Sequence, residues 1–186
     1  MEFVEPIRDR KKIEAMKKLL KGSNLRDYVL FTLGINSGLR VSDLLLLKVT
    51  DVLDENRKIK DRINLREKKT GKSKTFPLSD TVIKALREYV ATLPADSALF
   101  PSRKGRTPIT RQQAYRVLNE AARTVGIKDK MGTHTLRKTF GYHAYIGGVD
   151  VTRIQALLNH SSPRETLRYI GITQDELDDV YLNLNL

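Results

Sequence analysis

The sequence predicts a mainly α-helical domain interrupted by one small antiparallel β-sheet. Three observations carry that α+β fold class. Apolar residues recur at helical spacing along most of the 186 residues, and cap and stop signals divide that pattern into separate helices. Between Lys58 and Leu78 alone the spacing changes to alternation. The length suits one domain with a sizeable core.

Taken in order, a basic amphipathic helix is predicted over about Arg8 to Leu20, ending near Gly22. A second runs from about Asn24 to Asn36, with Leu25, Val29, Phe31, Thr32 and Ile35 as inward candidates. Ser37-Gly38 breaks it, and a third, short helix carries Val41 to Leu47. Ile59, Ile63 and Leu65, the KKTGKSK turn and Phe76-Pro77-Leu78 then read as a β-hairpin with room for a third strand. Helices resume over about Asp80 to Leu93, followed by a loop through Pro101 and Pro108. Thr110 with Gln113 forms a capping box for a helix ending at Gly126. The next helix, near His134 to Ile146, stops at Gly147-Gly148, and Asp150 caps another to about Asn159. Ser162, Pro163 and Glu165 supply cap, first-turn proline and third-position acid for the helix that carries Tyr169. Thr173 with Glu176 opens a terminal helix to about Leu184, whose apolar stripe is Leu177, Val180, Tyr181 and Leu184.

Composition narrows the class of function. There is no cysteine, hence no disulfide and no thiolate metal site. No apolar stretch approaches a membrane span, the Leu44 to Leu47 run being short, and early acids argue against a secretion signal. A soluble cytoplasmic, nucleoid-associated protein is expected, with no membrane partner. The net charge is +12; the last fifteen residues hold Asp175, Glu176, Asp178 and Asp179 without Lys or Arg, which leaves +16 on the preceding 171. Such a surface suits a polyanion, because neutralised phosphates release counterions.

Six residues suggest a chemistry: Arg40, Lys69, His134, Arg137, His160 and Tyr169. Two guanidiniums, two imidazoles, a lysine and a phenol, without a metal-ligating carboxylate cluster, fit metal-free attack on a phosphodiester. A hydroxyl must attack phosphorus, the charge on the non-bridging oxygens must be neutralised, and a donor must protonate the leaving oxygen. Guanidiniums are always charged and offer a planar fork to two phosphate oxygens. His134 and Arg137, three apart, share a helix face. Asp43, three after Arg40, reads by itself as a first-turn acid favoured by the helix dipole.

The words SGLRVSDLLLLKVTDV, HTLRKTF and LLNHSSPRETLRYIGI resemble the catalytic domain of the tyrosine recombinase (phage integrase) family, and the resemblance runs over nearly the whole chain. It implies that family's DNA breaking-rejoining fold and a site-specific recombinase or integrase that works through a 3′-phosphotyrosine intermediate, without cofactor or metal. Tyr169, nine after His160, is then the nucleophile, Arg40 and Arg137 clamp phosphate, and Asp43 takes the family's acidic position, where it supports Arg40. Lys69 takes the family's general-acid position in the hairpin turn, eight before Pro77. His134 accepts the tyrosine proton or bonds phosphate, and His160 bonds a phosphate oxygen. Lys68, Lys72, Lys74 and Lys138 are expected to meet DNA. Lys138 stands where the family often has His, and Asn159 where it usually has Gly. His143 reads as a structural hydrogen-bonder, and Tyr142, Tyr145 and Tyr181 as core or interface residues.

The resemblance further implies double-stranded DNA as partner and a homotetramer on it. It divides the chain into a catalytic domain over 1–171 and an acidic tail over 172–186, which docks on a neighbour or folds back on its own subunit. The sequence opens almost directly at the catalytic part, as a short recombinase or a fragment would, and a separate core-binding domain or accessory protein could supply the missing clamp. A catalytically silent DNA-binding module and a strand-relaxing topoisomerase are the alternatives. An ATPase is excluded, because the P-loop glycine required five before Gly71 is Arg66. Histidines spaced nine and seventeen apart match no zincin pattern.

Overall fold

The computed structural model describes residues 4–172 apart from 70, 104, 106 and 133, together with Leu182. Its elements are α1 (Arg10–Ser23), α2 (Leu25–Ser37), α3 (Val41–Leu44), α4 (Val49–Val52), β1 (Arg62–Arg66), β2 (Ser73–Pro77), α5 (Asp80–Val90), α6 (Arg111–Thr124), α7 (Thr135–Ile146), α8 (Val151–Leu158) and α9 (Pro163–Ile170). The mainly α architecture with one small sheet is the one expected. The terminal helix expected from Thr173 to about Leu184 lies outside the described residues, Leu182 excepted.

Caps place the helix boundaries. Asn24 accepts from the Arg26 N–H at 2.9 Å to start α2, and Thr110 with Gln113 forms the expected box at α6. Asp150 starts α8, and Ser162 accepts from the Glu165 N–H at 3.1 Å to start α9. Asn159 ends α8 in the left-handed region at φ 51°, a conformation Asn tolerates better than most residues. The short α4 was not anticipated; the Asp51 carboxylate closes its first turn by accepting the Lys48 N–H at 2.8 Å. Two expected helices are shorter than their apolar patterns: α3 unwinds after Leu44 and α5 after Val90.

The hairpin has two strands, β1 antiparallel to β2, with Ile63 opposite Phe76. Among the described residues Ile59 joins no third strand and makes a single bridge, with Leu53. Ile63 faces the core, and the same alternation carries Leu65 and then Glu67 inward.

Helix α2 is the centre of packing, in contact with α1, α5, α6 and α7. Val29, Phe31 and Thr32 are buried as expected, whereas Leu25 and Ile35 are only half-buried. Leu30, Leu33, Met16, Leu86, Phe100 and Leu118 are buried in the same core, each contributing about 1.5–3 kcal/mol by leaving water. The approach of α2 to α7 requires a glycine, because a Cβ at Gly34 would lie 2.5 Å from Leu136 Cδ1. Helices α8 and α9 stand apart, packed on α7 around a satellite cluster of Ile154, Leu158 and Ile170. Two of the six candidate residues belong to this smaller unit, His160 just after α8 and Tyr169 in the last turn of α9.

Candidate active site

Arg40 occupies the N-cap position of α3, two residues after the α2 terminator Gly38. Its Nη1 lies 3.1 Å from Glu67 Oε1 and 3.9 Å from Asp43 Oδ2. That nitrogen is buried and has no aligned hydrogen-bond partner among the described residues. Two carboxylates thus hold the guanidinium by charge while leaving N–H groups to bond an incoming anion. Asp43 is buried, and its other oxygen accepts the Lys68 N–H at 3.0 Å, tying α3 to the hairpin turn. This geometry favours the supporting reading of Asp43, although it also sits in the first turn of α3.

Arg137, in the first turn of α7, is 1 % exposed and among the largest fully buried side chains. Its Nη1 donates to the Gly38 carbonyl at 2.5 Å, and its Nη2 donates to the Leu158 carbonyl. One guanidinium therefore satisfies the ends of two helices, α2 and α8, which stabilises a cation at helix C-termini. Burial depresses its pKa, opposed by Tyr169 and reinforced by Arg40.

His134 precedes α7, and its Nδ1 is 2.9 Å from the Tyr169 hydroxyl. The two rings meet edge to face at 5.8 Å between centroids. Burial lowers the His134 pKa, and Arg137, Arg40, Lys138 and Lys69 lower it further. The imidazole is therefore neutral at pH 7 and accepts the phenol O–H on Nδ1. Burial pushes the Tyr169 phenol up to about 12, against the opposing pull of Arg137 and Arg40 and a hydrogen bond from Arg137. A protonated phenol thus faces a neutral base.

His160 packs its ring edge-on against Tyr169, 4.7 Å between centroids, and its Nδ1 is 3.1 Å from the buried Thr166 hydroxyl. Burial lowers its pKa; Glu165 opposes, and Arg137 and Arg40 reinforce.

The hairpin lysines divide. Lys68 and Lys69 are exposed and line an open cleft of about 500 Å³ with Arg40, Arg111 and His134. Lys72 Nζ reaches Asn159 Oδ1 at 3.2 Å. Lys74, expected on DNA, is half-buried and donates to the Leu157 carbonyl at 3.1 Å. Burial, then Arg137, brings its pKa down to about 8. Lys138, also expected on DNA, is instead buried with Nζ 5.4 Å from the Tyr169 ring centroid. His143 donates Nε2–H to the Ile7 carbonyl at 2.8 Å, the structural role read for it. Tyr142 and Tyr145 pack beside the satellite cluster, and Tyr181 lies outside the described residues.

Arg40, His134, Arg137, His160 and Tyr169 therefore share one electrostatic neighbourhood, with Lys69 reaching it from the cleft side. His134 is the link, since it lines the cleft and bonds the tyrosine. Sequence reasoning missed Glu67, whose signal was present: it continues the inward Ile63, Leu65 alternation, and an acid there needs a cation. It also missed Arg111, which opens α6 beside the cleft.

The phage integrase family's sequence pattern matches residues 9–176. A probable integrase/recombinase, YoeC of Bacillus subtilis (strain 168), is 45% identical over 181 residues, covering 97% of each chain. Among solved structures, the XerA recombinase superposes with TM-score 0.78 at 23% identity, over 100% of this chain and 66% of that one. The XerH site-specific recombinase, solved in a post-cleavage complex with its palindromic difH substrate, gives TM-score 0.73 at 20% identity, over 96% of this chain and 53% of that one.

Proposed function

This chain belongs to the phage integrase family, and we propose that it is a site-specific DNA recombinase whose nucleophile is Tyr169. The observation that carries this reading is the 2.9 Å bond from the Tyr169 hydroxyl to a neutral His134, beside the buried Arg137.

In the proposed reaction, Arg40 and Arg137 neutralise the non-bridging oxygens of one DNA phosphate, and His160 bonds one of them. The Tyr169 oxygen attacks phosphorus as its proton passes to His134 Nδ1. The P–O5′ bond breaks, Lys69 gives a proton to the departing O5′, and a 3′-phosphotyrosine ester remains. A 5′-hydroxyl then attacks that ester and Tyr169 leaves, so rejoining needs no nucleotide. Exchange between two duplexes cuts four strands with one tyrosine per chain, which assigns a homotetramer to the DNA complex. The net charge of +12 favours duplex DNA, and XerH, of the same fold, was solved on its own DNA.

Nicked suicide duplexes test this reading, because loss of the short 5′ product prevents rejoining. The wild type is expected to accumulate a covalent adduct that Tyr169→Phe does not form. An adduct on the Phe variant removes the nucleophile assignment. Tight binding without any adduct would identify a silent DNA-binding module.

A further inference from the structure

The segment before α1 makes long-range contacts that the proposed reaction does not use. The Ile7 N–H donates to the Thr139 hydroxyl at 2.9 Å, and the Ile7 carbonyl accepts from His143, so this backbone is fastened along α7. The next residue reaches the other helix. Arg8 Nη2 donates to the Gly171 carbonyl at 2.5 Å, pairs with Glu5 Oε2 at 3.3 Å, and its guanidinium lies 4.9 Å from the Tyr142 ring centroid.

Gly171 is the left-handed C-cap of α9, two residues after Tyr169. A Cβ there would lie 3.0 Å from Glu5 Oε2, 3.2 Å from Arg8 Nη2 and 3.3 Å from Pro6 Cδ, so residues 5–8 sit directly on this turn. At its other end the segment covers the approach to α7, because a Cβ at Gly132, two before His134, would collide with Val4. Residues 4–8 therefore touch the chain beside both members of the His134–Tyr169 pair. The need for such a clamp is physical: among the described residues the satellite core shared by α8 and α9 has three fully buried hydrophobic side chains, Ile154, Leu158 and Ile170, and is otherwise made of partly buried ones. A bond whose donor and acceptor lie on different helices is no better aligned than the packing between those helices.

We propose that residues 4–8 form a strap that sets Tyr169 against His134, with Arg8 as its positioning residue. Arg8 acts through the backbone: it holds the α9 terminator to α7 through the strap. The inference rests on Tyr169 being the nucleophile, but the strap itself has a readout independent of cleavage.

The test compares wild type with Arg8→Met, which keeps a long unbranched side chain but loses the donors, and with Arg8→Lys, which restores one donor. Single-turnover adduct formation at saturating nicked DNA is expected to fall on the order of tenfold to a hundredfold in Arg8→Met and to recover partly in Arg8→Lys. The DNA dissociation constant and its salt slope should not change. Amide hydrogen exchange at residues 170–172 should speed up in Arg8→Met without DNA, while α2 stays protected. If the wild type forms no adduct, the recombinase reading fails and the exchange result alone decides the strap. Unchanged exchange at residues 170–172 overturns it. So does a wild-type adduct rate at saturating DNA with weaker binding and a shallower salt slope, which would make Arg8 a phosphate contact. Should Arg8→Met not fold, Arg8→Gln, shorter and uncharged, is read against wild type by the same two measurements, and wild-type behaviour in both overturns the strap.

Discussion

Removing the His134 imidazole should change both the rate of strand cleavage and the way it depends on pH. The Tyr169 phenol is pushed up to about 12, so at pH 7.5 roughly three in a hundred thousand are ionised. A hydrogen-bonded base avoids that population cost by taking the proton as phosphorus is attacked, an effect of roughly 10²–10⁴ in rate, or about 3–5 kcal/mol of barrier. His134 Nδ1 is 2.9 Å from the hydroxyl, and its pKa lies below the ordinary imidazole value. The neutral, proton-accepting form is therefore gained as pH rises through that lowered value, and no further gain follows above it. Adduct formation on nicked DNA at subsaturating concentration, which reports the free enzyme, should rise from pH 5.5 and level off before pH 7 in the wild type, given an ordinary imidazole value near 6.5. His134→Ala should be slower by that factor at pH 7.5 and climb about tenfold per pH unit to pH 9, because only the ionised phenol then attacks. A variant within about threefold of the wild type at pH 7.5, with a flat profile, would refute His134 as the base, since the expected loss is at least about a hundredfold.

Three further outcomes are expected. Lys69→Ala should cleave ordinary DNA poorly but cut a 5′-bridging phosphorothiolate at the wild-type rate, since a thiolate leaves without a proton; rescue of Lys74→Ala instead would move the general acid to Lys74. Arg137→Lys cannot serve both the Gly38 and Leu158 carbonyls with a single ammonium held where a fork was, so its urea midpoint should fall by the equivalent of about 1–3 kcal/mol; an unchanged midpoint contradicts that role. Because burial depresses both His134 and His160, the unfolded chain binds more protons below its value near 6.5, and stability should be flat above that pH and decline toward pH 5. Urea titrations of the His134→Gln, His160→Gln double variant should show a shallower decline, and an identical slope would remove these histidines as its source.

Local chemistry made much of the fold readable in advance. A cap is a bond between residues two or three apart, so Thr110, Asp150 and Ser162 announced their helices. Where the outcome rests on distant packing, the pattern overreached. The apolar run to Leu47 did not keep α3 helical beyond Leu44, and Ile59 had the alternation of a third strand but, among the described residues, a single bridge partner, Leu53.

The sequence by itself determined the helical class, the position of the hairpin and the residue types of the site, because each is encoded within a few neighbours. Tertiary structure alone decided how those residues are used. Arg137 found the carbonyl of Gly38, ninety-nine residues away, and His134 found Tyr169 across thirty-five. Arg40 acquired Glu67 as a buried counter-charge, and Lys74 was drawn to the end of α8 although it was expected on DNA. Spacing along the chain shows which groups can share a helix face. Which carbonyl, carboxylate or phenol a cation or imidazole meets depends on where separately encoded helices come to rest, and burial among them sets the proton affinities.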